Sequence, residues 1–327
     1  MSVRIAIIGV GAPWHHLPAL ARIKDAVLVA LCDVDEGRLQ EAAHTYGVRA
    51  LFTDYRMMLD HTGPQAVYVL PSVVRTVEVA AECLDRGLHC FVEKPPGIRA
   101  EETRGLARLA RQRGVIAMVG FNRRFHPLVT AARAAMAPFG RPSSVIAEWW
   151  KPLLMEDMGR SFPPAVLEHL LSVTTIHSVD LLRFVGGEVD EIIGVAGRWY
   201  SPYVDAVHAL LRFHDGGIGV LLSDYHTTKV ERFQMHGKGV FIELSGTGTP
   251  YREGKVLTRE GCKALEVPPG DGTDPDGFFE EDLHFIASVA GGRPVGPQGA
   301  DLDDALRTME LAEAIAAAAR HDWDGSR

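Results

Sequence analysis

Through the first 121 residues, short β-branched runs alternate with longer stretches whose apolar positions repeat at helical spacing. Residues 4–8, 27–32, 66–70, 89–92 and 115–119 are predicted strands, with a weaker candidate at 50–52. Gly47, Gly87 and Gly114 each follow a helical stretch, where a C-terminal cap belongs. Strands that are nearly continuous in apolar residues and separated by amphipathic helices predict a parallel sheet with crossover connections. The pattern changes after residue 122. Residues 143–150 alternate as a half-buried strand, 165–184 read as one helix, and 189–266 carry several strand-like runs. Between these runs lie "HDGG", "HGKG", "SGTGTP" and "REG", which are hairpin punctuation. Helices at 278–290 and 301–320 close the chain. This half predicts an α+β domain with an open, mainly antiparallel sheet.

Composition narrows the class of molecule. A length of 327 residues favours two domains, and 46% apolar with 23% charged residues and no low-complexity tract marks a globular chain. A net charge of -8 without a basic stripe argues against nucleic acid, and the arginines at 104–113 read as a solvated helix face. No apolar run approaches the ~18 residues of a membrane span. Cys32, Cys83, Cys90 and Cys262 form no CxxC pair and no zinc spacing, so a reducing, cytoplasmic setting is expected. The consecutive His15 and His16 do not make a metal site on spacing alone.

The candidate chemistry begins with "RIAIIGVGAPW". Gly9 and Gly11 follow the first strand, where Gly9 would make a tight turn and Gly11, with Ala12, would let the backbone approach a pyrophosphate at a helix N-terminus. The third glycine of G-x-G-x-x-G is replaced by Trp14, and Pro13 donates no N–H. The second strand ends "LCDVD", placing Asp33 24 residues after Gly9, near the distance expected for a carboxylate that bonds a ribose 2'-hydroxyl. A carboxylate there repels the extra phosphate of NADP, so NAD is favoured. A glycine-rich strand exit is also an ordinary turn, and Asp33 is also a plausible loop cap. The succession of strand, glycine turn, helix, strand and acid favours the cofactor and a Rossmann dinucleotide-binding domain over residues 1–121, leaving 122–327 for substrate binding and oligomerisation. Ligands of such sheets collect at the carboxyl ends of strands, where Lys94 and Asn122 fall. Glu93 and Lys94 point to opposite sides of their strand, which disfavours a simple ion pair between them.

"EKPPG" at 93–97, "GFNRRFHP" at 120–127, "FTDYRMML" at 52–59, "IHSVDLLRFVGG" at 176–187 and the late "EDLHFIASVAGGRP" resemble the Gfo/Idh/MocA oxidoreductases, the glucose-fructose oxidoreductase and inositol dehydrogenase family. The resemblance implies a nicotinamide cofactor, a catalytic lysine at Lys94 in a Lys94–Pro95 bond that is often cis in relatives, and cofactor contacts from Pro71, Ser72, Arg75, Glu93 and Asn122. It also implies a homodimer or homotetramer formed through the second domain's sheet. The family's D-x-G-x-H-x-x-D motif falls on "VTTIHSVD", residues 173–180, so His177 would take the substrate's hydroxyl proton. The expected acid four residues earlier is Val173; Thr174 and Asp180 are the nearest polar groups to the ring. Among Leu170, Val173, Ile176 and Leu181, a histidine is also a reasonable core residue. Arg123, Arg124, Trp150 and Thr174 are the substrate-binding candidates. "PSVVR" replaces the family's P-N-x-x-H, and Arg75 fits either a pyrophosphate contact or an exposed helix position. The glycine turn is one residue short. The expected function is NAD-dependent hydride transfer from a secondary alcohol of a sugar, cyclitol or related polyol. Two alternatives stay open: a non-catalytic NAD-binding regulator of the same fold, and an NAD-dependent glycoside hydrolase-like enzyme.

Overall fold

The computed structural model describes residues 2–11, 15–152, 162–247, 250–267 and 276–319. Two compact units result: Met1–Phe125 with Gly270–Leu306, and His126–Pro269 with Arg307–Arg327.

In the first unit β1 (Val3–Ile8), α1 (His16–Leu20), β2 (Ala26–Cys32), α2 (Glu36–Tyr46), β3 (Leu51–Phe52) and α3 (Tyr55–Thr62) form one half of the sheet and its helices. The other half is β4 (Ala66–Val69), α4 (Val73–Asp85), β5 (His89–Val92), α5 (Ala100–Arg113) and β6 (Ala117–Val119), ending in a 3-10 turn at Asn122–Phe125. The strand order β3-β2-β1-β4-β5-β6 is that of a doubly wound nucleotide-binding sheet, and its strands pair in parallel. Central β4 is buried at every position, which is why its sequence, AVYV, reads as unbroken apolar. Asp35 and Asp54 cap α2 and α3 by accepting from the backbone N–H groups of Arg38 and Arg56. Gly47, Gly87 and Gly114 take positive φ after their helices, as the sequence predicts.

The second unit runs α6 (Pro127–Met136), β7 (Ser144–Trp150), α7 (Pro164–Leu167), α8 (Leu170–Val173), α9 (Ile176–Gly186), β8 (Val189–Gly197), β9 (Ala206–Phe213) and β10 (Ile218–Asp224). It continues with β11 (Val230–Gly237), β12 (Val240–Thr247), β13 (Glu253–Thr258) and β14 (Gly261–Ala264). Its eight strands are ordered β14-β13-β12-β11-β7-β10-β9-β8, antiparallel except for the β7–β10 pair. Helices α6 and α9 pack on one face. Across the other face the register lines up Ile193, Leu210, Val220 and Ile146 on four neighbouring strands, and Ile193 and Leu210 are 72% and 51% exposed.

Two expectations change here. The segment 122–327 is not one body: α10 (Phe278–Gly291) and β15 (Ala300–Asp301) return to the first unit, and α11 (Leu302–Ala318) passes from the first to the second. The strand β15 adds antiparallel to β6, and Phe285 of α10 packs its ring 5.6 Å from Tyr68 and 5.7 Å from Phe91. Nor is 165–184 a single helix. Val173, Thr174 and Thr175 are successive β-branched residues, and the Thr174 hydroxyl donates to the Leu170 carbonyl at 2.8 Å, competing with the helical ladder. The chain stops α8 at Val173 and restarts α9 at Ile176, so His177 stands in the first turn of a new helix.

Candidate active site

At the carboxyl ends of β1, β2 and β4, the first unit builds a cradle that side chains would fill. Gly9 has φ +95°, and a Cβ there would stand 2.3 Å from the Leu70 carbonyl oxygen, so neither the conformation nor the space admits another residue. The N–H of Val10 donates to Asp33 Oδ2 at 2.7 Å and that of Asp35 to Oδ1 at 2.9 Å, fixing the carboxylate beside the glycine turn. Each oxygen keeps lone-pair capacity for a ribose hydroxyl. The Arg38 guanidinium lies over Gly11, with Nη1 2.4 Å from where a Cβ would be. These residues fit a dinucleotide's adenosine end. Ala12, together with Pro13 and Trp14, lies outside the described residues. Pro71 follows β4, its nitrogen 2.9 Å from the Cβ position of Gly9, and Ser72 is the exposed N-cap of α4. Arg75 is on the exposed side of that helix, paired with Glu78 at 3.1 Å.

The rim at β5 and β6 carries the charged groups. Lys94 is half-buried at the carboxyl end of β5, and the Lys94–Pro95 bond is cis. Glu93 turns toward His16, whose Nε2 is 3.4 Å from Glu93 Oε2. Gly120 leaves room for that carboxylate, since an added Cβ would meet Oε2 at 3.0 Å. Asn122 is buried and donates from Nδ2 to the Asp276 carbonyl at 2.9 Å, tying down the approach to α10. Arg123 is buried as well. Arg124, expected at the substrate, is 1% exposed and pairs with Asp304 at 2.7 Å, while Gln298 donates to its carbonyl at 2.7 Å. It is a structural tie to the start of α11, and the substrate role expected of it is corrected accordingly.

In the second unit His177 is 6% exposed, with the Trp149 ring centroid 6.1 Å away. The start of α9 is pinned by hydroxyls: Thr175 Oγ1 lies 2.9 Å from the Tyr225 hydroxyl and 3.0 Å from Ser223 Oγ. Burial pushes the Tyr225 phenol up to about 12, partly offset by its hydroxyl neighbours, so it stays neutral. Thr174 spends its proton on Leu170 rather than on the imidazole. Asp180 is fully buried and accepts from Thr308 at 3.0 Å, which serves the packing of α11. Trp150 is a second correction. Strand residues alternate faces, and β7 buries Trp149 on the side of Leu167, Leu170 and Tyr225 while Trp150 points to the open face. There its indole donates to Glu148 at 3.0 Å. Trp149 is the tryptophan beside His177. Lys151 extends the same wall, with Nζ 4.0 Å over the Trp149 ring and 2.6 Å from Glu231 Oε1.

The sequence reading missed a buried cluster in the first unit. His16 Nδ1 stands 2.8 Å from Asp282 Oδ1, and Glu281 beside it is fully buried. The signal available was three successive acids, Glu280, Glu281 and Asp282, at the start of an otherwise apolar helix, "FFEEDLHF", but nothing local showed where that helix docks. Among the described residues no cluster of His, Cys, Asp or Glu could hold a metal ion.

Comparison with known proteins gives the family and the fold. The GFO/IDH/MocA oxidoreductase family model with an NAD-binding Rossmann fold matches residues 3–121, and that family's C-terminal domain model matches 132–243. A myo-inositol 2-dehydrogenase of Thermotoga maritima is 27% identical over 91% of this chain and 92% of its own length. A scyllo-inositol 2-dehydrogenase (NAD(+)) of Bacillus subtilis is 24% identical over 97% and 93%. The fold matches an oxidoreductase from Agrobacterium radiobacter, solved with NAD+, L-tartaric acid and magnesium, with a TM-score of 0.83 at 18% identity over 98% of this chain and 97% of that one.

Proposed function

We propose, from the premise that the chain belongs to the GFO/IDH/MocA family of NAD-binding oxidoreductases, that it oxidises a secondary hydroxyl of a sugar, cyclitol or related polyol. The observation that carries the reading is Lys94 at the carboxyl end of β5, in the same parallel sheet as the Gly9 turn and the fixed Asp33 carboxylate. When bound, NAD supplies the hydride acceptor in its nicotinamide ring. Asp33 selects against a 2'-phosphate by charge, Gly9 and Gly11 leave the turn open, and Pro71, Ser72 and Glu93 border the cofactor. Lys94 donates a hydrogen bond to the oxygen that gains negative charge as the carbinol C–H bond weakens, a donor already in place before the charge develops. His177 accepts the hydroxyl proton. Trp149 offers a flat apolar face for a polyol's C–H groups, in the place expected of Trp150. The myo- and scyllo-inositol dehydrogenases among the relatives support a cyclitol or sugar as the substrate class.

The test is NADH absorbance with a panel of inositols, sugars and sugar acids. Net NADH formation supports the dehydrogenase. Sugar release from glycosides without net NADH favours the hydrolase-like alternative, and tight NAD binding with neither favours a regulator.

The same reading takes the protein as a homodimer or homotetramer joined through the open sheet face. Support comes from the apolar row Ile193, Leu210, Val220 and Ile146, which a lone chain would leave in water. Light scattering on Leu210→Lys is the check: loss of assembly is expected. Cytoplasmic residence is favoured by four unpaired cysteines, and no helix among the described residues is long and apolar enough to cross a membrane.

A further inference from the structure

His16 opens α1 with 2% exposure, and each of its ring nitrogens faces a carboxylate: Nδ1 meets Asp282 at 2.8 Å and Nε2 meets Glu93 at 3.4 Å. A neutral imidazole has one N–H and can donate to only one of them; both contacts are satisfied only when the ring carries both protons. Burial alone would lower this histidine, but the charge and hydrogen bond of Asp282, then those of Glu93, outweigh it and hold the ring well above its ordinary value. The rings of Tyr68, Phe91 and Phe278 stand around the imidazole at 5.7, 4.9 and 5.2 Å, shielding its Asp282 side from solvent more than its Glu93 side, where the carboxylate is 32% exposed.

The charges around it also count. Glu281 is fully buried next to Asp282, and burial, then the charges of Asp282 and Glu93, push its carboxyl well up, against the partial offset of His16 and Arg123. Asp282 is pushed up as well, chiefly by burial, so the two neighbouring carboxyls and the imidazole share a poorly solvated cluster in which an added negative charge is costly.

We propose that His16 is a positioning residue for the oxidoreductase reaction: an imidazolium that bridges Asp282 of α10 to Glu93 and so fixes the end of β5 from which Lys94 projects. Glu93 and Lys94 are successive residues immediately after β5, so holding the first side chain restrains the backbone that carries the second. The proposal rests on Lys94 being the catalytic lysine.

The experiment uses the full chain with NAD and the best substrate of the polyol panel. In His16→Gln, kcat should fall on the order of tenfold to a hundredfold, the scale of a misplaced catalytic group, with KM and the NAD Kd changed by less than about threefold. Glu93→Gln should lower kcat by a similar factor, whatever it does to NAD affinity, and the kcat of the double variant should be no lower than that of the poorer single, because both break one bridge. A multiplicative loss in the double, or wild-type kcat in His16→Gln, overturns the proposal. A second readout needs no turnover: the rate at which acetic anhydride modifies Lys94, followed site by site by mass spectrometry against exposed Lys263. It should change by about threefold or more in His16→Gln, or in Asp282→Asn should the first variant not fold, as the lysine loses its fixed surroundings. An unchanged rate overturns the proposal. Absence of any polyol oxidation by the wild-type chain defeats the functional reading instead, and the labelling result then decides the role of His16.

Discussion

His16 in the first unit and His177 in the second are almost equally hidden, at 2% and 6% exposure, yet their surroundings are opposite. His16 is clamped between two carboxylates in an aromatic box. His177 stands beside the Trp149 indole at the start of a helix fastened by the neutral hydroxyls of Thr175, Ser223 and Tyr225, with Val173 four residues before it. A ring held charged by two acids serves as a fixed strut, because it has no lone pair left to take a proton. A ring that must gain and lose a proton in each turnover needs surroundings that do not commit it to either form. Depth of burial therefore says little about the task of a histidine here; the identity of the groups facing it says more.

The contrast breaks most sharply where the chemistry is removed. His177→Ala should lower kcat by roughly 10²- to 10⁴-fold, the range of a lost general base. Lys94→Ala should cost on the order of 10²- to 10³-fold, the range of a lost donor to developing negative charge. Both are measured as NADH formation, with NAD affinity followed separately by fluorescence and expected to change by less than about threefold. Retained turnover in either variant removes that residue from the proposed chemistry.

A milder change makes the second region resemble the first. Backbone angles at Thr174 and Thr175 remain in the right-handed helical region, so Val173 still precedes His177 by about one turn despite the break between α8 and α9. Val173→Asp should favour the charged imidazole and move the acidic limb of the kcat/KM profile upward by about one pH unit. The buried carboxylate should also cost stability, on the order of 1–3 kcal/mol. An acidic limb that stays in place would show that some group other than His177 titrates there.

Much of the first unit is legible because its central strands, above all β4 and β5, are short, local and buried on both sides. His89–Val92 was predicted at its observed bounds, and Asp33 was placed from its spacing to Gly9. What was not legible depends on contacts distant in sequence or on a single step of register. The docking of Asp282 against His16 joins residues 266 positions apart, which no periodicity can reveal. Trp149 and Trp150 are equally good aromatics in sequence, and only the facing of β7 decides which one meets His177. Arg124 looked like a substrate ligand because it is charged and next to the strand end; its partner Asp304 arrives from a helix near the end of the chain.

The smallest expected effect concerns the charge balance of the first region. Glu281 is raised in the folded chain by burial above its unfolded value near ~4.3, so folding retains a proton that the unfolded chain releases. That contribution is complete below about pH 4.3 and is lost as pH rises toward the folded value, because a state that binds more protons loses ground as they become scarce. His16, raised above its unfolded ~6.5, has the same sign: its contribution is complete below that pH and is lost as pH climbs through the folded value. Glu281→Gln replaces a neutral acid with a neutral amide and removes one of these two slopes. Its Tm relative to wild type should therefore rise between pH 5 and pH 8 by a few degrees, about what 1–2 kcal/mol gives in a unit of this size. A difference in Tm that does not vary with pH would mean that Glu281 is already ionised in the native state. The poorly solvated cluster would then carry that added negative charge, offset in part by His16 and Arg123.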